Sequence, residues 1–278
     1  MSLNKKHFLV VAGASRGARL FIKKALQEGH DVTAICRAES ESAALVRMNT
    51  LLLETTLTAN PLCNSLAKEP MQLGILRATN RSILSAETYI TLLQNDLSIN
   101  AVCCFVGVTK LADMLNKQNK LYSQTIKAII RGMQNSRLVE FYYHGSSGTE
   151  GVPGHSFAKL PDNYRLKWLL NMINYMPIVK DYRESEGLLA EAADNGMQFV
   201  IFRPAFLTKG PAKRRYHYCF DTTGFDNQML PLKHSTMDIS REDVAEAILR
   251  VALMPATERQ HWFGHGVYLA NMKASFYN

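Results

Sequence analysis

Short apolar runs alternate with longer stretches of helical period along most of the chain. Phe8-Leu9-Val10-Val11-Ala12 has the length and β-branching of a buried strand. After a glycine turn, Ala18, Phe21, Ile22, Ala25 and Leu26 share one side of a helix. Gly29 stands where that helix ends, because glycine adopts the left-handed C′ conformation cheaply. Residues 32–36 read as a second strand, residues 43–53 as a short helix and residues 55–69 as irregular, with a turn at Asn60-Pro61. The third strand is expected at 72–76, a helix at 85–93 and a fourth strand at 101–106, closing at Gly107. A helix over 121–133 leads to a fifth strand at 139–143, a loop at 151–161 and an apolar helix at 166–173. Pro177 separates that helix from the next, at 181–194, and a sixth strand follows at 198–202. Past Pro204 the pattern loosens until Ser240, which caps a helix running to about Leu253 with Asp243 as its capping-box acid. Strands alternating with helices predict an α/β fold, a doubly wound parallel sheet covered on both faces.

The turn after the first strand carries the first chemistry. Gly13, Ser15, Arg16, Gly17 and Ala18 lie between a predicted strand and helix, about 20 residues before a second strand. Unpaired N–H groups and the helix dipole place partial positive charge there, and glycines let a pyrophosphate approach the backbone. This predicts a dinucleotide site. An acidic residue at the end of the second strand favours NAD; arginine there favours NADP by pairing with the 2′-phosphate. Here the strand ends Ile35-Cys36-Arg37, and Arg16 sits in the turn, so NADP is expected, with Glu39 close enough to argue the other way. Gly107 is placed near the cofactor ribose, and Pro204, lacking an N–H, shapes the nicotinamide pocket.

Composition narrows the setting. A formal net charge of +8 over 278 residues suits an anionic ligand, and the basic residues are spread along the chain rather than gathered in an arm. Lys213-Arg214-Arg215 with Tyr216 and Tyr218 reads as a solvated edge rather than a nucleic-acid surface. Five cysteines, none in a Cys-x-x-Cys pair, point to a reducing compartment. The start is too short in apolar residues for a signal peptide and no stretch is long enough to span a membrane, so a cytoplasmic protein is expected. His261 and His265 have ligand spacing, but Gly264 argues against a helix and no third ligand is evident, so no metal is expected.

Four segments in order, VAGASRGA, VTAICR, FVIFRPA and ISREDVAEAI, resemble the atypical short-chain dehydrogenase/reductase superfamily, especially its NmrA-like and NAD(P)H-binding reductase branches. The resemblance runs from Phe8 to about Leu253 and implies a single Rossmann-like NAD(P)-binding domain over 1–278, with residues 205–278 forming a small region on the substrate side. The departures are specific. The third glycine of the turn is absent and Arg19 follows Ala18, an arginine able to supply charge to the phosphates in exchange. In many members a tyrosine and a lysine four residues on handle the proton. No tyrosine here has lysine four positions on, and Ile178 and Tyr182 fall at the two places.

That leaves Ser146 and Ser147, after the fifth strand, and Tyr182 as catalytic candidates, with His144 and Tyr143 as weaker proton donors. Each has a plain alternative: turn serines bond their own backbone, and the aromatic groups serve as core. Two functions stay open. One is an NADP(H)-dependent oxidoreductase on a small carbonyl or conjugated substrate, its proton drawn from water or from a group near Ser146, Ser147 or Tyr182. The other is a non-catalytic NADP(H)-sensing regulator or scaffold. Neither needs nucleic acid or membrane.

Overall fold

A computed structural model describes residues 5–57, 74–108, 110–134, 136, 139–146, 176–220 and 238–272. Its main sheet has eight strands, in the order β3-β2-β1-β4-β5-β6-β10-β8. These are β1 (His7–Val11), β2 (Asp31–Ile35), β3 (Leu76–Thr79), β4 (Ile99–Cys104), β5 (Glu140–His144), β6 (Phe199–Pro204), β8 (Tyr216–Phe220) and β10 (His265–Asn271). All pairings are parallel except that of β8 with β10. Two short strands, β7 (Phe206–Thr208) and β9 (Asp238–Ser240), pair parallel apart from it.

Central strands are apolar throughout because both of their faces are covered. Every residue of β1 is buried, and its side chains alternate between two cores. Phe8 and Val10 point to α1 (Arg16–Gln27) and α7 (Arg241–Leu253), where Phe21, Ile22, Val244 and Ile248 meet them. Leu9 and Val11 point to the other side, with Tyr89 of α3 (Ala86–Asn95), Ile126 and Ile129 of α5 (Leu121–Gln134) and Leu189 of α6 (Pro177–Ala193). The strand order reverses between β1 and β4, so the crevice beyond their carboxyl ends is where ligands of such sheets bind.

The pattern misplaced some boundaries. The third strand is Leu76–Thr79, not 72–76: an edge strand with only Thr79 buried offers little period to read. Gly74 precedes it under the His30 carbonyl, where a Cβ would lie 1.7 Å from that oxygen. The second helix, α2 (Glu41–Leu57), extends past the expected end at 53 and takes in Thr55. Pro177 opens α6 rather than preceding it, since a first-turn residue has no N–H to lose. The expected loop at 151–161 and helix at 166–173 lie outside the described residues, as does Asn60-Pro61. The helix starting beyond Ser240 is present, with the Ser240 hydroxyl accepting from the Asp243 N–H at 2.9 Å.

Beyond Pro204 the chain is more ordered than its pattern. Asp243 accepts from the N–H groups of Lys213 and Arg214, and Glu242 from that of Ala212. Lys213 also pairs with Asp238 and Arg214 with Glu246. These bonds occupy two members of the basic triple at the entry to β8. Among the described residues, no helix is long and apolar enough to cross a membrane.

Gly132 of α5 faces Tyr89 of α3, and a Cβ there would stand 2.3 Å from the Tyr89 Cβ and 3.3 Å from the Ile90 nitrogen. Helices that close cannot yield to an extra methyl without moving apart. Gly132→Ala is expected to cost about 1–3 kcal/mol of stability, read as a lowered urea midpoint at unchanged slope.

Candidate functional site

The glycine turn begins with a strained residue. Ala12 adopts φ 59, a left-handed conformation unusual for a residue with a Cβ. That bend sends the Gly13 N–H to the Ile35 carbonyl at 2.9 Å, and the Ser15 N–H to Ala12 O at 2.9 Å. A Cβ on Gly13 would lie 2.9 Å from the Ala34 Cβ, so only glycine lets the turn sit this close to β2. Ser15 caps α1, its hydroxyl accepting from the Ala18 N–H at 3.3 Å. The N–H groups of Arg16 and Gly17 have no intrahelical acceptor, as at any helix start. The first turn holds no acidic residue and Arg16 is exposed. This donor set fits a pyrophosphate. Gly17 has a second reason to be glycine: a Cβ would meet the Phe105 ring at 3.3 Å. The Arg19 guanidinium reaches to Glu54 of α2, 3.8 Å away.

At the end of β2, Arg37 is exposed, and its carbonyl accepts from the guanidinium of Arg47 on α2. Neither arginine has an ion-pair partner among the described residues. Arg47 also acts on Cys36, whose thiol is pushed up by burial and drawn back by that charge. The sequence pattern missed Arg47 because it is ten residues from Arg37 and reaches it only through the fold of α2.

The other half of the crevice is aromatic. Phe105 follows β4, and its ring lies 5.7 Å from that of His144 at the end of β5. Burial lowers the His144 pKa to about 4, with Arg241 adding to the shift. Ser146 is half-buried just past His144, whereas Ser147 lies outside the described residues. Gly107 is exposed, and its neighbour Val108 donates its N–H to the Tyr122 hydroxyl at 3.0 Å. Tyr122 stacks on Tyr182 with centroids 3.8 Å apart, so Gly107 and Tyr182 are brought to one place. Asp181 fixes the stack by accepting from the Tyr122 and Ser123 N–H groups, capping α5 from the adjacent helix. Burial holds the Tyr182 phenol well above its usual range, and Tyr122 and Tyr143 reinforce the shift. Tyr143 is likewise raised by burial and shares a 3.1 Å bond with Ser185. Pro204 is buried at the end of β6, paired with Leu269 of β10.

Behind these groups, Arg203 and Glu186 form a buried, two-pronged pair, Nη2 to Oε2 at 2.9 Å and Nε to Oε1 at 3.3 Å. Sequence pattern gave Arg203 as half of an Arg-Pro step and did not identify its partner.

The His144 shift has a signed consequence. An imidazole whose folded pKa lies below its unfolded value stabilises the fold fully above about pH 6.5 and loses that contribution as pH falls toward about 4. His144→Gln is expected to flatten the stability–pH curve across that window, in urea titrations at half-unit steps. Some slope remains, because burial also lowers the pKa values of His7 and His30.

No family model matches the sequence. No curated protein matches it. Solved structures do. A short-chain dehydrogenase/reductase of the wide type from Veillonella parvula, solved in complex with NADP, superposes with a TM-score of 0.56 at 16% identity over 95% of this chain and 94% of that one. A candidate NADH-flavin reductase from Streptococcus pneumoniae gives 0.58 at 16% identity, covering 96% and 99%. An oxidoreductase from Lactococcus lactis gives 0.56 at 13% identity, covering 95% and 90%. The chain shares with these structures a Rossmann-like α/β fold.

Proposed function

We propose that the protein binds NADP(H) across the β1–β4 crevice and reduces a small conjugated or carbonyl acceptor, with water as the proton source. The observation that carries this reading is the capped start of α1, free of acidic residues, set beside the arginines at the end of β2. The fold likeness to a structure solved with NADP supports it. So does the likeness to a candidate NADH-flavin reductase. Three buried free thiols, Cys36, Cys103 and Cys104, suit a reducing, cytoplasmic setting.

The N–H groups of Arg16 and Gly17 would hold the pyrophosphate, and Arg37 with Arg47 the 2′-phosphate. Phe105 and His144 would wall the crevice, and residues 205–278 would form its substrate side. When bound, a reduced nicotinamide supplies the hydride. Among the described residues, the nearby acids Tyr182 and His144 are poorly matched to the accompanying proton. Tyr182 holds its proton too tightly near neutrality, and His144, its pKa lowered by burial to about 4, is neutral there. An acceptor whose reduced form takes its proton from solvent fits such a site. A second reading, an NADP(H)-sensing regulator without turnover, is favoured by a different observation: Ile178 and Tyr182 stand where the superfamily resemblance places tyrosine and lysine.

Two measurements test this. NADPH is expected to bind about tenfold or more tighter than NADH, and Arg37→Ala with Arg47→Ala to erase most of the difference. Equal affinities in the unmutated protein would sink the NADP assignment. A thermal-shift titration with NADPH, run beside a reductase assay, separates the readings. Stabilisation without turnover supports the regulator. For an enzyme, Tyr182→Phe is expected to cost less than about tenfold in rate, against ~10²–10⁴-fold for a true general acid.

A further inference from the structure

Arg241 is the first residue of α7, and two hydrogen bonds fix its place. Its Nη1 donates to the carbonyls of Leu207 at 3.5 Å and Thr208 at 3.0 Å, which holds the guanidinium against β7. The neighbouring acids are committed elsewhere: Glu242 and Asp243 bond the backbone of 212–214. Meanwhile α7 lies alongside α1, joined by Lys24 and Glu246 at 2.6 Å. Lys24 is eight residues past Arg16 and Glu246 is five past Arg241, so at ~1.5 Å per residue the two helix starts are level within about 5 Å. The N-terminal arginines of both helices therefore flank one mouth. Burial and the charge of Arg16 together lower the Arg241 pKa. Neither guanidinium has a carboxylate partner among the described residues. Two like charges placed together without a carboxylate between them are stabilised by an anion.

We propose that Arg241 is a second, charged wall of the phosphate site, binding the cofactor diphosphate from the C-terminal side while Arg16 binds it from the glycine turn. This rests on the cofactor reading above. It moves Arg16 from the 2′-phosphate, where the sequence pattern sets it beside Arg37, to the diphosphate; Arg37 and Arg47 would still discriminate between cofactors, whereas a diphosphate contact serves NADPH and NADH alike. It also makes the residues after Pro204 part of the cofactor site rather than of the substrate side alone.

The test is calorimetric titration of NADPH, NADH and ADP-ribose into the full chain and into R241Q, R241K and R16Q. R241Q is expected to weaken all three ligands by about tenfold and to leave the NADPH/NADH ratio unchanged. R241K, which keeps the charge but not the paired carbonyl bonds, is expected to recover most of the loss. R16Q, at an exposed position, is expected to show the same uniform weakening. Should R241Q fail to fold, uniform weakening in R16Q with near-normal binding in R241K supports the proposal, and unchanged binding in R16Q overturns it. Binding by R241Q within about twofold of the unmutated protein overturns the proposal and leaves the cofactor reading standing. So does a loss confined to NADPH, or an R241K as weak as R241Q. An unmutated protein that binds none of the three overturns both.

Discussion

A carboxylate and a guanidinium taken out of water together, Glu186 and Arg203, set the terms for the centre of this molecule. Both are almost fully buried. Ions of this kind lose several kcal/mol of hydration each, and only near-ideal geometry offsets that loss. The surroundings supply it. Arg203 is also 3.3 Å from the Tyr268 hydroxyl and lies over that ring at 5.3 Å. Gly266 has no side chain where a Cβ would stand 2.1 Å from the guanidinium, and a Cβ on Gly145 would meet Glu186 Oε1 at 3.3 Å. One pair thus dictates the seat of α6 on the sheet, a glycine and a tyrosine on β10 and a glycine just past β5. Removing either partner would strand the other charge in the core, at about 3–5 kcal/mol.

The same helix carries the aromatic side of the crevice. Asp181, five residues before Glu186, caps α5 from outside and so positions Tyr122 against Tyr182. Phenols locked by stacking and burial keep their protons, as the raised pKa values of Tyr122, Tyr143 and Tyr182 record. The crevice is therefore electrostatically lopsided. Arg16, Arg37 and Arg47 are on or near one rim, and among the described residues of its aromatic wall none is matched to proton transfer near neutrality.

What the amino-acid pattern discloses is what is local. The strand–turn–helix at Phe8, the buried run at 101–106 and the Ser240 cap each depend on residues a few positions apart, and each is present. The edge strand β3 was displaced because a half-exposed strand has little period to read. The strand β10 was missed because it is joined to its neighbours only through tertiary pairing, at the far end of the sheet from the motif that organises the fold. The same limit hid Arg47, Arg241 and Glu186. Their significance is a matter of which distant residue each meets, and a charged residue on a helix looks the same from sequence whether it is solvated or engaged. Gly17 was read as a phosphate contact from local spacing, and its contact with Phe105 is equally a long-range fact.

The position of β10 has a consequence for how the chain is made. β6 is flanked by β5 on one side and by β10 on the other, and β10 is translated long after it. Until β10 emerges, the Phe199–Pro204 strand presents an apolar, unpaired edge, and Arg203 has Glu186 but not Tyr268 beside it. Open edges of this kind template intermolecular pairing. Nascent chains stalled before Gly264 therefore carry the strand most exposed to co-aggregation, and closure of the sheet on the ribosome is a late event.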